Sequence, residues 1–419
     1  METKTNALRA ELAARLSAMY ADEVPKYGHL VDATNRINAE QGDGHRDQMR
    51  LGGERHGAVR VASFDEMSQI AKLFRAFGME PVGYYDLRTS AKPIPVVSTA
   101  FRPITQAALD ASPFRMFTSV LVADDERFFS PELTSEIERR SAERQLFPEG
   151  LDQLLDQSEA ERDGKKLLDL AVEVFHLDPT PFENAWHEEL DAVSPVASDI
   201  AAGRSTHLNH LTPRVVDIDA LHQLMTNEGV EMIEHIQGPP KWSGPDVLLR
   251  QTSFRALDET RNVIDSDGSP GERTVRVRFG EVEQRGIALT PQGRAKVDNA
   301  SGDPSALDDA LAHNVEDLAR AGDAYVRFAQ TGTSHPNGLN EPWDLVEAGV
   351  LAVVPITYED FLPASAAGIF ASNLAHDGAE VGDNSVRLAD AERLREAVGK
   401  LHDPYALYEA EQTASLQTT

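Results

Sequence analysis

Apolar and polar positions along the chain repeat one pattern twice. From His56 the run HGAVRVA is apolar enough for a strand, and Ser63 then opens SFDEM, where Ser63 and Glu66 have capping-box spacing. Met67, Ile70, Leu73 and Phe74 fall on one helical face, and Gly78 stands where a helix end favours a left-handed residue. Three strand-like runs follow: Pro81–Leu87, Ile94–Phe101 and Phe114–Leu121. The order is strand, helix, strand, strand, strand. It returns at His210, where HLTPRVV reads as a strand, Ile218–Asn227 carries Leu221, Leu224 and Met225 at helical spacing, and Gly229 closes the helix. Val230–Ile236, Val247–Leu257 and Thr274–Gln284 are the three strand-like runs of the second copy. Both copies also carry His-x-x-x-Arg in the first strand, as His56/Arg60 and His210/Arg214. Self-similarity of this kind predicts duplication. The expected fold class is α+β: two paired βαβββ modules forming a curved sheet cleft, with helical insertions.

Between the copies, Ser130–Gly203 is rich in Glu, Arg, Leu and Ala, with helical periodicity at Leu151, Leu154 and Leu155 and again at Leu167, Leu168, Leu170 and Ala171. Asp152–Lys166 reads as a solvated helix face and its turn. A second helical region is expected over Leu307–Phe328, a turn-rich loop over Asp265–Arg273, and a polar, disordered tail over Ala410–Thr419. The expected organisation is an N-terminal helical segment (1–55), a first module (56–129), a helical insertion (130–203), a second module (204–290) and a C-terminal helical region (291–419).

Charge narrows the function classes. The 40 Lys and Arg against 69 Asp and Glu leave a formal charge of −29. Such a surface repels phosphate backbones and anionic lipids, which argues against nucleic-acid and membrane partners. An anionic substrate therefore needs a local cationic site. Cysteine is absent, which removes disulfides, thiolate metal sites, iron–sulfur clusters and cysteine nucleophiles together. Near the N-terminus, Lys4, Arg9 and Arg15 alternate with Leu8, Leu12, Leu16 and Met19, an amphipathic helix rather than a secretory signal. No apolar window approaches the roughly 18 residues of a membrane span. The expected location is the cytoplasm.

Without cysteine, a transition-metal site must use histidine and carboxylate. The first strand of each module delivers one histidine, His56 and His210. In VRVRFGEVEQRG, alternation puts Val275, Val277, Phe279, Glu281 and Glu283 on one face. Two carboxylates continuing an apolar face are costly unless they meet a cation. Two imidazoles and one carboxylate form the facial arrangement suited to non-haem Fe(II). Arg60, four residues from His56 on the same strand, can hold a substrate carboxylate bidentately or form an ion pair with Glu281 or another acidic group. Arg214 is a weaker candidate because Pro213 interrupts the strand. His207 and Asn209 read as supporting groups or a turn. In PASAAGIFASN, Pro363–Asn373, small residues at a helix start can present backbone N–H groups to an anion.

Four blocks carry a family resemblance: ERHGAVR (Glu54–Arg60), NHLTPRVVDID (Asn209–Asp219), FGEVEQRGIALT (Phe279–Thr290) and FLPASAAGIFASN (Phe361–Asn373). Together they resemble the 2-oxoadipate dioxygenase/decarboxylase family, also called hydroxyglutarate synthase, which is similar to the vicinal oxygen chelate superfamily. The resemblance implies one Fe(II) held by His56, His210 and Glu283, with Glu281 on the same face as the alternative. It also implies Arg60 as the catalytic substrate-binding arginine, and backbone contacts to substrate near Ala364 and Ser365. The implied reaction is 2-oxoadipate + O2 → 2-hydroxyglutarate + CO2, a step in lysine breakdown, so the implied partners are a small 2-oxo dicarboxylate and O2. Two other readings stay open on the residues alone. One is a metal-dependent isomerase, lyase or hydrolase of a small carboxylate; the other is a non-catalytic small-molecule binding protein.

Overall fold

The structure is a computed structural model that describes residues 2–41, 48–90, 93–276, 278–334, 340–362 and 388–417. Three helices open the chain: α1 (Glu2–Glu23), α2 (Pro25–Gln41) and α3 (Gln48–Gly53). The first copy of the repeat follows as β1 (Arg55–Val61), α4 (Phe64–Ala76), β2 (Glu80–Asp86), β3 (Val96–Arg102), the short α5 (Gln106–Ala111) and β4 (Phe114–Leu121). Local chemistry sets the ends of α4. The Ser63 hydroxyl accepts from the Glu66 N–H at 3.2 Å, and the Glu66 carboxylate accepts from the Ala62 N–H at 2.7 Å. Past the helix, Gly78 takes a φ of +68°, which a side chain would strain.

Between the copies lie α6 (Pro131–Ala142), α7 (Leu151–Leu155), α8 (Gly164–Glu173), the two-residue β5 (Phe182–Glu183), α9 (Asn184–Val193) and α10 (Pro195–Ala201). The second copy runs β6 (Leu208–Pro213), α11 (Ile218–Asn227), β7 (Leu249–Ser253), β8 (Glu259–Ile264), β9 (Pro270–Val275) and β10 (Phe279–Arg285). The chain then forms α12 (Pro291–Ala300), α13 (Pro304–Ala310), α14 (Val315–Arg320), β11 (Val326–Gln330), α15 (Pro342–Glu347), β12 (Leu351–Pro355), α16 (Leu388–Val398) and α17 (Pro404–Gln417). Among the described residues, no helix is long and apolar enough to cross a membrane.

Two compact units result. One is built from Met1–Ile236 and Gln251–Glu283 together with α16; the other holds Gln237–Arg250, Gln284–Leu362 and α17. The dominant sheet has seven strands in the order β2-β3-β4-β1-β6-β10-β7. The two copies join edge to edge: β1 pairs β4 in parallel and β6 antiparallel, which puts both first strands at the centre. Outward from the join, one copy reads first, fourth, third and second strand. The other reads β6, β10 and β7 in the same sequence, and its second strand is reduced to a single bridge between Met232 and Phe254.

That reduction departs from the strand expected over Val230–Ile236. Only Met232 and Ile233 of the run are buried hydrophobics, so little apolar surface sustains a strand. The run expected over Thr274–Gln284 divides in two. Val275 ends β9 in a small apolar cluster with Phe182 and Val263, while Arg278 turns to Glu23 and Glu259. Asp265–Arg273 is the tip and returning strand of the β8–β9 hairpin, where the Gly268 N–H donates to the Asp265 carbonyl at 2.8 Å.

In the second unit, β11 and β12 form an antiparallel pair packed through Val326, Phe328, Val350 and Leu351. The helical region expected to reach Phe328 therefore stops at Arg320, because Val326 and Phe328 alternate inward as a strand. The expected disordered tail is α17 as far as Gln417. Its Gln412 side-chain carbonyl and Ser415 hydroxyl accept from the Val326 and Phe328 N–H groups, at 2.9 and 3.1 Å. The helix thereby satisfies donors along a strand edge.

Candidate metal centre

The two central strands place both histidines side by side. Ala58 of β1 lies opposite His210 of β6, His56 opposite Thr212, and His210 opposite Phe279 of β10. Glycines beside the polar residues let the other face close up. A Cβ on Gly57 would stand 2.7 Å from the Met116 sulfur, and one on Gly280 2.3 Å from the Phe254 ring. The His56 and His210 rings meet edge to face at 5.5 Å, and His210 stacks on Phe279 at 5.0 Å.

Ligand atoms of His56, His210 and Glu281 lie within 4.8 Å of one another. All three side chains are buried. His56 Nε2 is 3.0 Å from Glu281 Oε1, and His56 Nδ1 is 2.8 Å from Glu283 Oε2. Glu281 Oε1 also accepts from the Gln251 amide at 2.5 Å and from Thr212 Oγ1 at 3.4 Å. The carboxylate that converges with the imidazoles is thus Glu281, whereas Glu283, the expected third ligand, bonds the other nitrogen of the His56 ring. This follows the pattern of metal-binding histidines, which give their second N–H to a carboxylate that fixes ring and tautomer.

Burial holds His210 well below the usual imidazole range, with His56 and Arg60 adding to the effect. For His56 burial acts in the same direction, but Glu283 and Glu281 outweigh it and raise its pKa. One imidazole is therefore neutral and ready to donate a lone pair. The other is balanced by two carboxylates, as a site for a divalent cation requires. The donor set of two nitrogens and one oxygen fits a borderline transition metal.

Behind Glu283 lies a buried charge network. Glu54 meets Arg115 at 2.8 Å, Arg214 at 2.9 Å and Arg50 at 3.3 Å, and Arg115 approaches Glu283 at 4.0 Å. Arg214, a weak substrate candidate in the sequence, belongs to this network. Glu54→Gln removes the charge that these guanidinium groups share. An expected loss of about 3–5 kcal/mol of stability follows, read by urea unfolding of the metal-free protein.

Arg60 pairs with Asp199 of α10, an acidic group other than Glu281. Asp199 also accepts from the Asn209 amide at 2.9 Å and lies 3.3 Å from His207 Nε2. Although burial opposes ionisation, His207 and Arg60 hold the Asp199 carboxyl far below its ordinary value. Its contribution to stability is complete above the ordinary carboxyl range of about 4 and fades as the pH falls below it. Ala364 and Ser365 lie outside the described residues.

The sequence profile of the 2-oxoadipate dioxygenase/decarboxylase family matches residues 12–373. The chain belongs to that family. A Mycobacterium tuberculosis protein named 2-oxoadipate dioxygenase/decarboxylase is 47% identical over 426 residues, covering 97% of each chain. Hydroxyglutarate synthase from Pseudomonas putida, solved in complex with 2-oxoadipate, superposes with a TM-score of 0.82 at 33% identity, over 99% of this chain and 97% of that one. A glyoxalase-superfamily protein from Ralstonia eutropha gives a TM-score of 0.50 at 24% identity, over 66% of this chain and 82% of that one, a likeness of fold alone. The paired-module α+β architecture read from the repeat is the family's fold.

Several members of the site escaped the sequence reading. Thr212 and Glu54 sit inside blocks that carried the resemblance, but nothing in the blocks marked them as partners of Glu281 and Arg115. Gln251 is one of four polar residues in β7, all of them buried, and the sequence does not single it out from Arg250, Thr252 and Ser253. Asp199 had no local signal, since its role arises only when α10 packs beside β1 and β6.

Proposed function

We propose that this protein is an Fe(II)-dependent dioxygenase/decarboxylase of the cytoplasm, converting 2-oxoadipate and O2 to 2-hydroxyglutarate and CO2. The observation that carries this reading is the convergence of His56, His210 and Glu281 in the fold of a family whose Pseudomonas putida member binds 2-oxoadipate. His56 Nε2, His210 and Glu281 would hold the ion. When bound, Fe(II) supplies open positions for a 2-oxo acid and redox chemistry with O2. The rest is positioning by the chain. Glu283 accepts a hydrogen bond from His56 Nδ1–H and so presents Nε2 to the cluster, while Gln251 and Thr212 hold the Glu281 carboxylate in place.

Arg60 is the cation proposed to bind the distal carboxylate of the substrate. It stands four residues along β1 from His56, on the order of 13 Å. A long guanidinium side chain and a six-carbon dicarboxylate together can span that separation. Backbone N–H groups near Ala364 and Ser365 are proposed to complete the substrate site. Burial of the cluster excludes water and strengthens each charged contact.

The two carboxylates separate experimentally. Glu281→Gln is expected to lose the bound metal and all turnover. Glu283→Gln, which loosens the His56 ring without removing a ligand, is expected to weaken metal affinity about 10–100-fold. Metal titration of both variants checks the assignment. The reverse order of effects would return the ligand role to Glu283.

A further inference from the structure

The carboxylate of Asp199 pairs with Arg60, and it comes from the insertion rather than from either repeat. Its side chain is only 2% exposed, yet α10 has no evident need of an ionic anchor. Val196, Ala197, Ile200 and Ala201 already bury its apolar face, and the Ser194 hydroxyl caps its start. A buried ion pair is a poor source of stability compared with apolar packing, and what it does supply is a defined position for both partners.

The bonds around Asp199 show what is being positioned. The carboxylate holds the Arg60 guanidinium from β1, and it also holds Asn209, the residue before the ligand His210 on β6. The Arg60 backbone is fixed from the same segment, its carbonyl accepting from Thr206 Oγ1 at 2.5 Å. Side chain and backbone of Arg60 are therefore both tied to the stretch from Asp199 to Asn209, which runs directly into a metal-ligand strand. We propose that Asp199 is a positioning residue which, by fixing Arg60 relative to His56, His210 and Glu281, sets the length of dicarboxylate the site accepts. The inference rests on the reading of Arg60 as the clamp for the distal carboxylate.

The test uses the iron-loaded full chain and three substrates: 2-oxoadipate, the one-carbon-shorter 2-oxoglutarate, and 2-oxohexanoate, which lacks the distal carboxylate. Asp199→Asn keeps the shape and removes the charge. It is expected to retain iron and to lose about a hundredfold in kcat/KM for 2-oxoadipate, the effect of misplacing a substrate by roughly 1 Å. 2-Oxohexanoate should change far less, so the preference for a distal carboxylate collapses. Asp199→Glu keeps the charge but moves the guanidinium by one methylene, and the ratio of 2-oxoadipate to 2-oxoglutarate turnover should shift. That variant carries the test alone if Asp199→Asn does not accumulate in folded form. A parallel fall on all three substrates with a lowered Tm, or unchanged ratios in the folded variants, overturns the proposal. Arg60→Ala distinguishes the two levels of failure. If it leaves the preference for a distal carboxylate intact, the clamp reading itself is wrong; if it abolishes that preference while the Asp199 variants keep it, only the role of Asp199 is wrong.

Discussion

Replacing His56 or His210 by alanine is expected to abolish iron binding and turnover, because each change removes one of the three proposed ligands. The two variants should differ in stability. His210 is neutral, packed on Phe279 and bonded to Thr212 Oγ1 at 3.2 Å, so its loss removes these contacts without breaking a charge pair. His56 lies between Glu281 and Glu283, and its removal takes a partner from two buried carboxylates at once. Breaking a buried charge pair by removing one partner costs about 3–5 kcal/mol, so His56→Ala should melt well below His210→Ala in the metal-free state. Metal analysis and thermal melts of the two proteins check both parts. Full iron occupancy in either variant would remove that histidine from the ligand set.

Arg60→Ala is expected to keep the iron and lose most turnover of 2-oxoadipate. Removing one partner of a desolvated charged contact costs about 2–5 kcal/mol, or some thirty- to several-thousand-fold in affinity. The change also takes the Arg60 charge from Asp199, so lost stability has to be separated from lost catalysis. Arg60→Ala/Asp199→Asn does so, since it removes both charges and should melt above Arg60→Ala. Its kcat/KM for 2-oxoadipate should stay as low as that of the single variant. Arg60→Lys should recover only part of the loss, because an ammonium cannot reproduce the bidentate fork. If the double variant regains near-normal kcat/KM, Arg60 is a structural half of an ion pair and nothing more.

The repeat was legible because each copy announces itself locally. Ser63 and Asp217 cap the helices, Gly78 and Gly229 close them, and the histidines open the strands that become the centre of the sheet. Where local pattern and burial disagreed, burial decided: Val230–Ile236 lost its strand, and Val326–Phe328 gained one.

At the site, alternation correctly put Glu281 and Glu283 on one face of β10, but it could not rank them. The proposed ranking rests on which nitrogen of the His56 ring each carboxylate meets, a property of three strands together. The partner of Arg60 was hidden for a similar reason. The pairing of β1 with β6 shifts between Ala58 and Val59, where Asn209 is the extra residue on β6, and a bulge re-aims side chains of the strand that carries it. Arg60 on β1 meets Asp199 of α10, a helix of the insertion for which the sequence pattern offers no local sign of that contact.

The central claim is tested most directly in an oxygen electrode. Protein stripped of metal and reloaded with Fe(II) is mixed with 2-oxoadipate, while O2 uptake, CO2 and 2-hydroxyglutarate are followed together. Equal amounts of O2 consumed, CO2 released and 2-hydroxyglutarate formed are expected, with none of these changes in the metal-stripped protein or in His210→Ala. Turnover of 2-oxoadipate that proceeds equally well without O2, or no O2 uptake by the Fe(II)-loaded protein, would contradict the assignment.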